Sequence, residues 1–558
     1  MSLPLRFGIM VNGPLLAAWQ IDSIRLLKES GLAVPVVMIG NARQGTKESF
    51  SQKLRSYPYR NLLYRVWKRF FLRIPSQQYR ELPDFLQALP KLLCTTIRKG
   101  KYSEYFRNED IETLRTYHLD FMLRYGFNII RGEIHTVPKY GVWSFHHADE
   151  RIFRGGPAGF WELYRKSPVN GVILQRLNDL IDAGVVLSRR NYQSVSHSYA
   201  EHLEKILHHS TDMPLEVCKK IYSGDVRIFT QDHSPATAPV NRVPANGAML
   251  VFSGKILCNR IRFHFNRLFR QEKWDIGVGF RTETEHPAIA AEELKVHWLQ
   301  LNGKGWYGAD PFVFVSGETF NAVYEHYDYR QRKGRIDLLS MDRDFNVVAK
   351  KTLLESGQHL AYPYLFRHGG QLYMIPETAE QDNVQLYIWD AETDGFTFHS
   401  QLLDRPGVDS SLVWKDGYWW LFCGIKGELP NEKLLVFYSQ TLEGPYLPHL
   451  LNPVKTDPEG ARMGGNFHRA GDLLFRPAQY SRRWYGEKIV WWKILHLTPE
   501  TFEEELCGEL APQSGWELHD GLHTISSDGE FFAVDVKKRR SDAVSLAAAS
   551  GIYRKRKS

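Results

Sequence analysis

Cysteine is scarce in this 558-residue chain: Cys94, Cys218, Cys258, Cys423 and Cys507 are its five, and none forms a Cys-x-x-Cys pair. That spacing argues against a disulfide framework and a structural zinc site, and it suits a reducing compartment. Long apolar runs are missing as well. The nearest, "GAMLVFSGKIL" before Cys258, falls short of the roughly 18 to 20 residues that a membrane-spanning helix needs. The opening "MSLPLRFGIMVNG" has neither a charged start nor a small-residue cleavage site, so no signal peptide is expected and a cytoplasmic location is. The first turn reads "VNGPLLAAWQ" and lacks the Gly-x-Gly-x-x-Gly fingerprint, which removes the support for NAD binding. No metal site is expected.

What is present is globular and aromatic. The chain is 43% hydrophobic, 24% charged and 13% aromatic, and its length calls for two or three domains. The net charge of +8 comes from the terminal "YRKRKS" and from two basic, aromatic segments, residues 60–74 and 258–273. In the first, Leu62, Leu63, Val66, Trp67, Phe70, Phe71 and Ile74 recur at helical spacing between arginines and lysines. Two readings stand for such a helix: one packed on its own domain with a solvated basic face, or one lying on an anionic membrane at the inner face. No nucleic-acid module accompanies the charge, and no nucleic-acid partner is expected.

Residues 6–12 form a short apolar run, "AAWQIDSIRLLKESG" has helical periodicity, and "VPVVMIGN" is a second strand, a βαβ opening. Further strands are expected in "LDFMLRYGFNII" and "YGVWSFHH", giving an α/β domain over residues 1–210. A helical segment and linker follow over 211–270. From Asp310 onward, hairpins recur about every fifty residues, a period suited to propeller blades and favouring them over a β-sandwich. Five hairpins predict a five-bladed all-β propeller over 271–540, with "KWDIGVGF" completing the last blade, and a basic tail over 541–558.

In the first domain, strand alternation in "GVWSFHH" puts Ser144 and His146 on one face, at the carboxyl end where sites form in open α/β sheets. His147 then points the other way. Asp182, in an apolar neighbourhood before Gly184, needs a partner, and His146 is the natural one. With "IHTVPKYG", with His146 followed by Arg154-Gly155, and with "GVILQRL...IDAGVVL", residues 5–195 resemble the formyltransferase family. The resemblance implies a Rossmann-like fold and transfer of a formyl group from 10-formyltetrahydrofolate to an amine. It carries the family's His and Asp onto His146 and Asp182; Ser144 stands in the Asn position, and Ala148-Asp149-Glu150-Arg151 replaces the usual run after the His.

In the second half, acids recur near blade starts: Asp310, Glu325, Glu377 and Asp409. Equivalent inner-strand positions of a propeller converge, so these carboxylates should share a pocket, a setting for glycoside chemistry. His359, Tyr362, His468, Arg476, Gln479 and His523 are added as sugar-binding candidates, with Arg154 and Gly155 in the first domain. "ADPFVF", "HLAYPYLF", "QLYMIPE" and "VDSSLVWKDGYWWLF" resemble the propeller of plant glucosamine inositolphosphorylceramide transferases and, more distantly, propeller glycosidases. The second resemblance implies Asp310 as a base. The expected whole is a formyltransferase acting on an amino sugar or glycan precursor that the propeller recognises. Two alternatives are a propeller glycosidase or glycosyl-transfer protein on an inactive scaffold, and a glycan-binding protein at a membrane surface.

Overall fold

The structure is a computed structural model that describes residues 3–42, 59–99, 103–180, 183–235, 237–281 and 294–540. The chain divides into two compact units, Met1–Ile261 and Arg262–Ser558. Asp182, the terminal basic tail and part of the expected linker lie outside the described residues.

The first unit is built on a seven-stranded sheet. In spatial order its strands are Val185–Gln193, Val169–Arg176, Val142–His146, Phe121–Arg124, Leu5–Val11, Ala33–Asn41 and Lys91–Cys94. The last five run parallel; the first two are added antiparallel at one edge. Central parallel strands are covered on both faces, which is why Leu5–Val11 reads as an almost unbroken apolar run with Phe7, Ile9 and Met10 fully buried. Phe121 stacks on Phe7 at 5.0 Å and on Trp143 at 4.0 Å, locking three adjacent strands in register. The helix Ala18–Glu29 packs Ile21, Ile24 and Leu27 inward, and the Gln20 side chain accepts from the Ala17 N–H at its start. From Leu5–Val11 the chain goes outward one way and later returns on the other side to Phe121–Arg124. The gap between these strands is the switch point where open α/β sheets bind ligands.

The basic segment becomes the helix Leu62–Phe70, and a 24-residue helix spans Asn246–Phe269. Their starts interlock: Asn246 Oδ1 accepts from the Leu63 N–H, while Asn61 and Asn246 donate to Val243, Pro244 and Tyr59 carbonyls. Trp67 turns inward against Tyr199 and Phe252, whereas Phe70 and Phe71 face outward. Among the described residues no helix is long and apolar enough to cross a membrane.

The second unit consists of antiparallel sheets of four or five strands. Three start with Ala361–His368, Gly407–Lys415 and His468–Ala470 and a fourth with Trp306–Ser316 behind the two-residue strand Asn302–Gly303, and all add strands in chain order. The fifth joins both ends of the unit: Gln271–Phe280 pairs over ten residues with Phe531–Arg540, followed by Ile525–Asp528. The segment "KWDIGVGF" lies in the first of these strands, so one sheet holds both ends of the unit. Three first strands share a device. Their pairing breaks at Asp310-Pro311, Tyr362-Pro363 and Asp409-Ser410, and Asp310, Tyr362 and Asp409 adopt φ of 50°, 41° and 50°. Bulges re-aim side chains, and non-glycine residues hold positive φ only where the surroundings over-determine it. The bulged residues are tied to neighbouring sheets: the Asp310 N–H donates to Asp535, the Asp409 N–H to Glu377, and Gln479 Nε2 to Asp409.

Candidate functional site

Two groups of polar side chains stand out, one in each unit. In the first unit, Ser144 and His146 lie on one face of Val142–His146, at its carboxyl end. Parallel pairing of Val142 with Met122 and Trp143 with Leu123 brings Arg124 alongside, and its Nη1 donates to Ser144 Oγ at 3.0 Å. Nη2 of the same arginine reaches the Asn128 carbonyl at 2.6 Å, which fixes the guanidinium. His146 Nε2 donates to the Phe153 carbonyl at 3.2 Å, so in the neutral ring Nδ1 is the unprotonated nitrogen. His147 lies on Phe145 and edge-on to Trp19, and burial, followed by the neighbouring His146, pushes its imidazole down to about 3. It is a neutral packing residue.

Arg154 and Gly155 serve the backbone. They pair with Val240–Asn241, Arg154 Nη1 donates to the Ala238 carbonyl, and Gly155 has φ of 75°. A Cβ there would sit 2.2 Å from the Asn241 carbonyl oxygen, so only glycine fits. The substrate contacts expected of this pair find no support in that placement. Asp149 and Glu150, in the run that departs from the family pattern, are bound by Arg189, with Arg151 also on Asp149. A cavity of about 670 Å³ opens at the carboxyl ends of Leu5–Val11 and Ala33–Asn41, between Asn12, Pro14, Met38, Leu82, Lys91 and Leu93.

In the second unit a cavity of about 430 Å³ gathers four carboxyl groups, Glu272, Asp310, Glu325 and Glu377, with His359, His523 and Arg462. Its aromatic lining is Trp274, Tyr307, Tyr327, Tyr329 and Tyr485. Five expected residues, Asp310, Glu325, His359, Glu377 and His523, are therefore brought together. Asp409 and Gln479 stand behind them: Asp409 is gripped by Arg462 through Nε at 2.5 Å and Nη2 at 3.1 Å, and by Gln479 at 2.8 Å. Tyr362 is buried, its hydroxyl 3.0 Å from Ser411 Oγ and accepting from the Gly465 N–H. The sugar-binding roles expected of Arg476 and His468 are not supported. Arg476 is fully buried with Glu504 and the Gly460 carbonyl on its guanidinium, and His468 sits beside Phe475 and Trp491, outside the cavity lining.

Charge is unevenly matched in this cavity. Burial, opposed by His523 and reinforced by Asp409 and Asp535, pushes Asp310 up to about 6. Burial and then Asp409 push Glu377 up to about 8, and burial with Asp310 and Glu377 raises Glu325 well above the carboxylate range. His523 stacks on Trp274 at 3.8 Å with Nδ1 2.6 Å from Asp535 and Nε2 3.5 Å from Asp310. Burial lowers its pKa, but the two carboxylates outweigh that and hold it raised. One ligand atom each from Asp310, His523 and Asp535 lies within 4.8 Å of the others, yet Asp535 already accepts from the Asp310, His523 and Thr524 N–H groups. We read the three as an ion-pair cluster. Residues missed in the sequence are Arg124, Glu272, Trp274, Tyr307, Tyr327, Tyr329, Arg462 and Tyr485; Tyr307, Tyr327 and Tyr329 lie close in sequence to Asp310 and Glu325, and that proximity was the signal available.

Residues 300–514 match one family model, Glucosamine inositolphosphorylceramide transferase 1, N-terminal. Over 202 residues the chain is 34% identical to "Glucosamine inositolphosphorylceramide transferase 1" of Oryza sativa subsp. japonica, covering 35% of this chain and 27% of that one. The chain thus spans about a quarter of the length of that plant relative. It is also 25% identical over 248 residues to "Methionyl-tRNA formyltransferase" of Thermotoga maritima, covering 39% of this chain and 79% of that one. Among solved structures, Zg3597, a family 117 glycoside hydrolase of Zobellia galactanivorans, aligns with a TM-score of 0.31 and 11% identity, over 49% of this chain and 91% of that one.

Proposed function

We propose that this chain transfers a formyl group to the amine of an amino sugar, with acyl transfer in the first unit and sugar recognition in the second. The carrying observation is the grouping of His146, Ser144 and Arg124 at the carboxyl ends of two adjacent parallel strands. The donor set suits 10-formyltetrahydrofolate as the formyl source: Arg124 and Ser144 offer hydrogen-bond donors for a developing oxyanion, and His146 offers Nδ1 as a base. The neutral amine nitrogen bonds to the formyl carbon, the bond from that carbon to folate N10 breaks, and His146 takes the amine proton and passes it to the departing N10. Asp182 keeps the part that the formyltransferase resemblance gives it in helping to remove the amine's proton. The sheets of the second unit are read as five propeller blades around the acidic cavity.

The test is incubation of the full chain with 10-formyltetrahydrofolate and a panel of nucleotide-linked amino sugars, following tetrahydrofolate release. Turnover lost in His146→Ala is expected. Absence of turnover with every sugar overturns the reading.

One observation favours a second reading, glycoside cleavage in the second unit. Glu377, pushed up to about 8, and Asp310, pushed up to about 6, line one cavity, and two carboxyl groups of unequal acidity are what acid and base roles require. It predicts that Asp310→Asn abolishes cleavage of a glycoside while His146→Ala leaves it intact. Contact with an anionic membrane surface is proposed through Phe70 and Phe71, flanked by Arg69 and Arg73. Salt-sensitive vesicle binding lost in Phe70→Ser/Phe71→Ser is expected, and unchanged binding overturns it.

A further inference from the structure

The cavity of the second unit carries more acid than base. Asp409 is matched by Arg462, and Glu272 by Lys537 at 2.9 Å. Asp310 and Asp535 share one imidazole, that of His523. Glu377 accepts the Asp409 N–H, which leaves Glu325. Its residue is only 5% exposed, it lines the cavity, and among the described residues its carboxylate accepts no hydrogen bond. Its nearest cationic group is His359 Nε2 at 3.8 Å. That imidazole is committed to neutrality by geometry, because its Nδ1 accepts from the Gly334 N–H at 2.8 Å, leaving a single N–H on Nε2. A buried carboxyl group without a partner is costly unless a ligand supplies one.

What surrounds Glu325 says which ligand. Tyr307 and Tyr327 stack at 5.1 Å, Tyr329 meets Tyr327 edge-on at 5.1 Å, and His359 closes on Tyr327 at 5.9 Å. Ring faces attract cations, and rings grouped beside a carboxylate are how ammonium groups are recognised. The volume of about 430 Å³ is within the usual range for small-molecule sites, larger than a bare cation requires.

We propose that this cavity binds an ammonium-bearing sugar, with the cation seated between Glu325 and the Tyr307–Tyr327–Tyr329 rings and the sugar hydroxyls turned toward Asp310, Glu377 and Arg462. The proposal rests on the amino-sugar reading for the ligand's class and deepens it. A free amine is cationic and is held; the formamide made from it is neutral and is released. The cavity therefore distinguishes acceptor from product.

The experiment is titration calorimetry on the full chain at neutral pH. The probes are the methyl glycoside of a 2-amino-2-deoxyhexose, its N-formyl derivative, its 2-hydroxy parent, methylammonium chloride and calcium chloride. The amine should bind roughly tenfold or more tightly than the N-formyl and hydroxy sugars. Glu325→Gln should erase that preference, with retained melting behaviour showing that the variant folds; Tyr327→Phe, which keeps the ring, should preserve it. Equal affinity for amine and N-formyl sugar overturns the proposal. So does methylammonium binding as tightly as the amino sugar, or calcium binding with no preference among sugars. The discrimination is read on the unmutated chain, so a variant that fails to fold leaves the test intact. Amine preference without any folate turnover would sink the formyl-transfer reading alone, whereas turnover without amine preference would sink this inference alone.

Discussion

The two candidate sites are built in opposite ways. The site in the first unit is local: Arg124, Ser144, His146 and Phe153 fall within thirty residues, and the Arg124–Ser144 and His146–Phe153 contacts each satisfy a donor with an acceptor. The cavity in the second unit draws on residues from Glu272 to His523, and its acids are crowded beyond what Arg462 and His523 neutralise. Strand ends of a parallel sheet deliver a few side chains cheaply in sequence. Strands drawn from several sheets deliver many, but only after those sheets have formed, and they accumulate like charges. The lesson is that stability and charge are coupled in the second site and nearly independent in the first.

Removing a cation should break the comparison most sharply. Arg462→Met leaves Asp409 buried without its ion-pair partner, and breaking such a pair costs about 3–5 kcal/mol. A denaturant midpoint should fall accordingly, and a change near zero would show that Gln479 alone suffices for Asp409. Proton linkage gives the next effect. The folded state raises Glu377 from an ordinary 4.5 to about 8, so it keeps a proton that the unfolded chain releases. Stability from this group is present below about 4.5 and is lost as pH rises toward 8. Asp310, raised to about 6, and the raised His523 act in the same direction. Chemical unfolding at pH 5 and pH 8.5 should show the chain weaker at the higher pH, and Glu377→Gln should flatten the difference. An unchanged slope in that variant would place the linkage elsewhere.

What was legible in the sequence follows the same division. Ser144 and His146 could be paired by two-residue alternation, because that rule acts within one strand. Arg124 could not, since only the parallel register that sets Val142 opposite Met122 brings it to Ser144. In the second unit, hairpin spacing located Asp310, Glu325 and Glu377, and the structure gathers them. The tyrosines of the same strands read equally well as core, because alternation does not say which end of a strand faces a cavity. Arg476 misled for a related reason: an arginine in an aromatic strand looks like a ligand group until Glu504, two strands on in the same sheet, is seen to hold it. The bulges were written in the sequence as "ADPF", "AYPY" and "VDSS", and a proline or serine interrupting an apolar strand is the physical sign of a broken ladder.

Chemistry in the first unit should respond without a stability cost. His146 is half-buried, and among the described residues its ring bonds to the Phe153 carbonyl, so His146→Ala should lower formyl transfer by about a hundredfold or more while leaving the unfolding midpoint close to that of the parent. A loss of midpoint comparable to that of Arg462→Met would erase the distinction between the sites. Gly155→Ala is the converse case and the smallest effect. It adds a Cβ 2.2 Å from the Asn241 carbonyl oxygen at a φ of 75°, so the short pairing of Arg154–Gly155 with Val240–Asn241 must open. Positive φ at a non-glycine residue costs about 1–3 kcal/mol, and the midpoint should fall by that order. If Gly155 instead approached substrate, KM would rise with the midpoint unchanged. Measuring both on one variant separates a glycine that shapes the turn from one that touches the sugar.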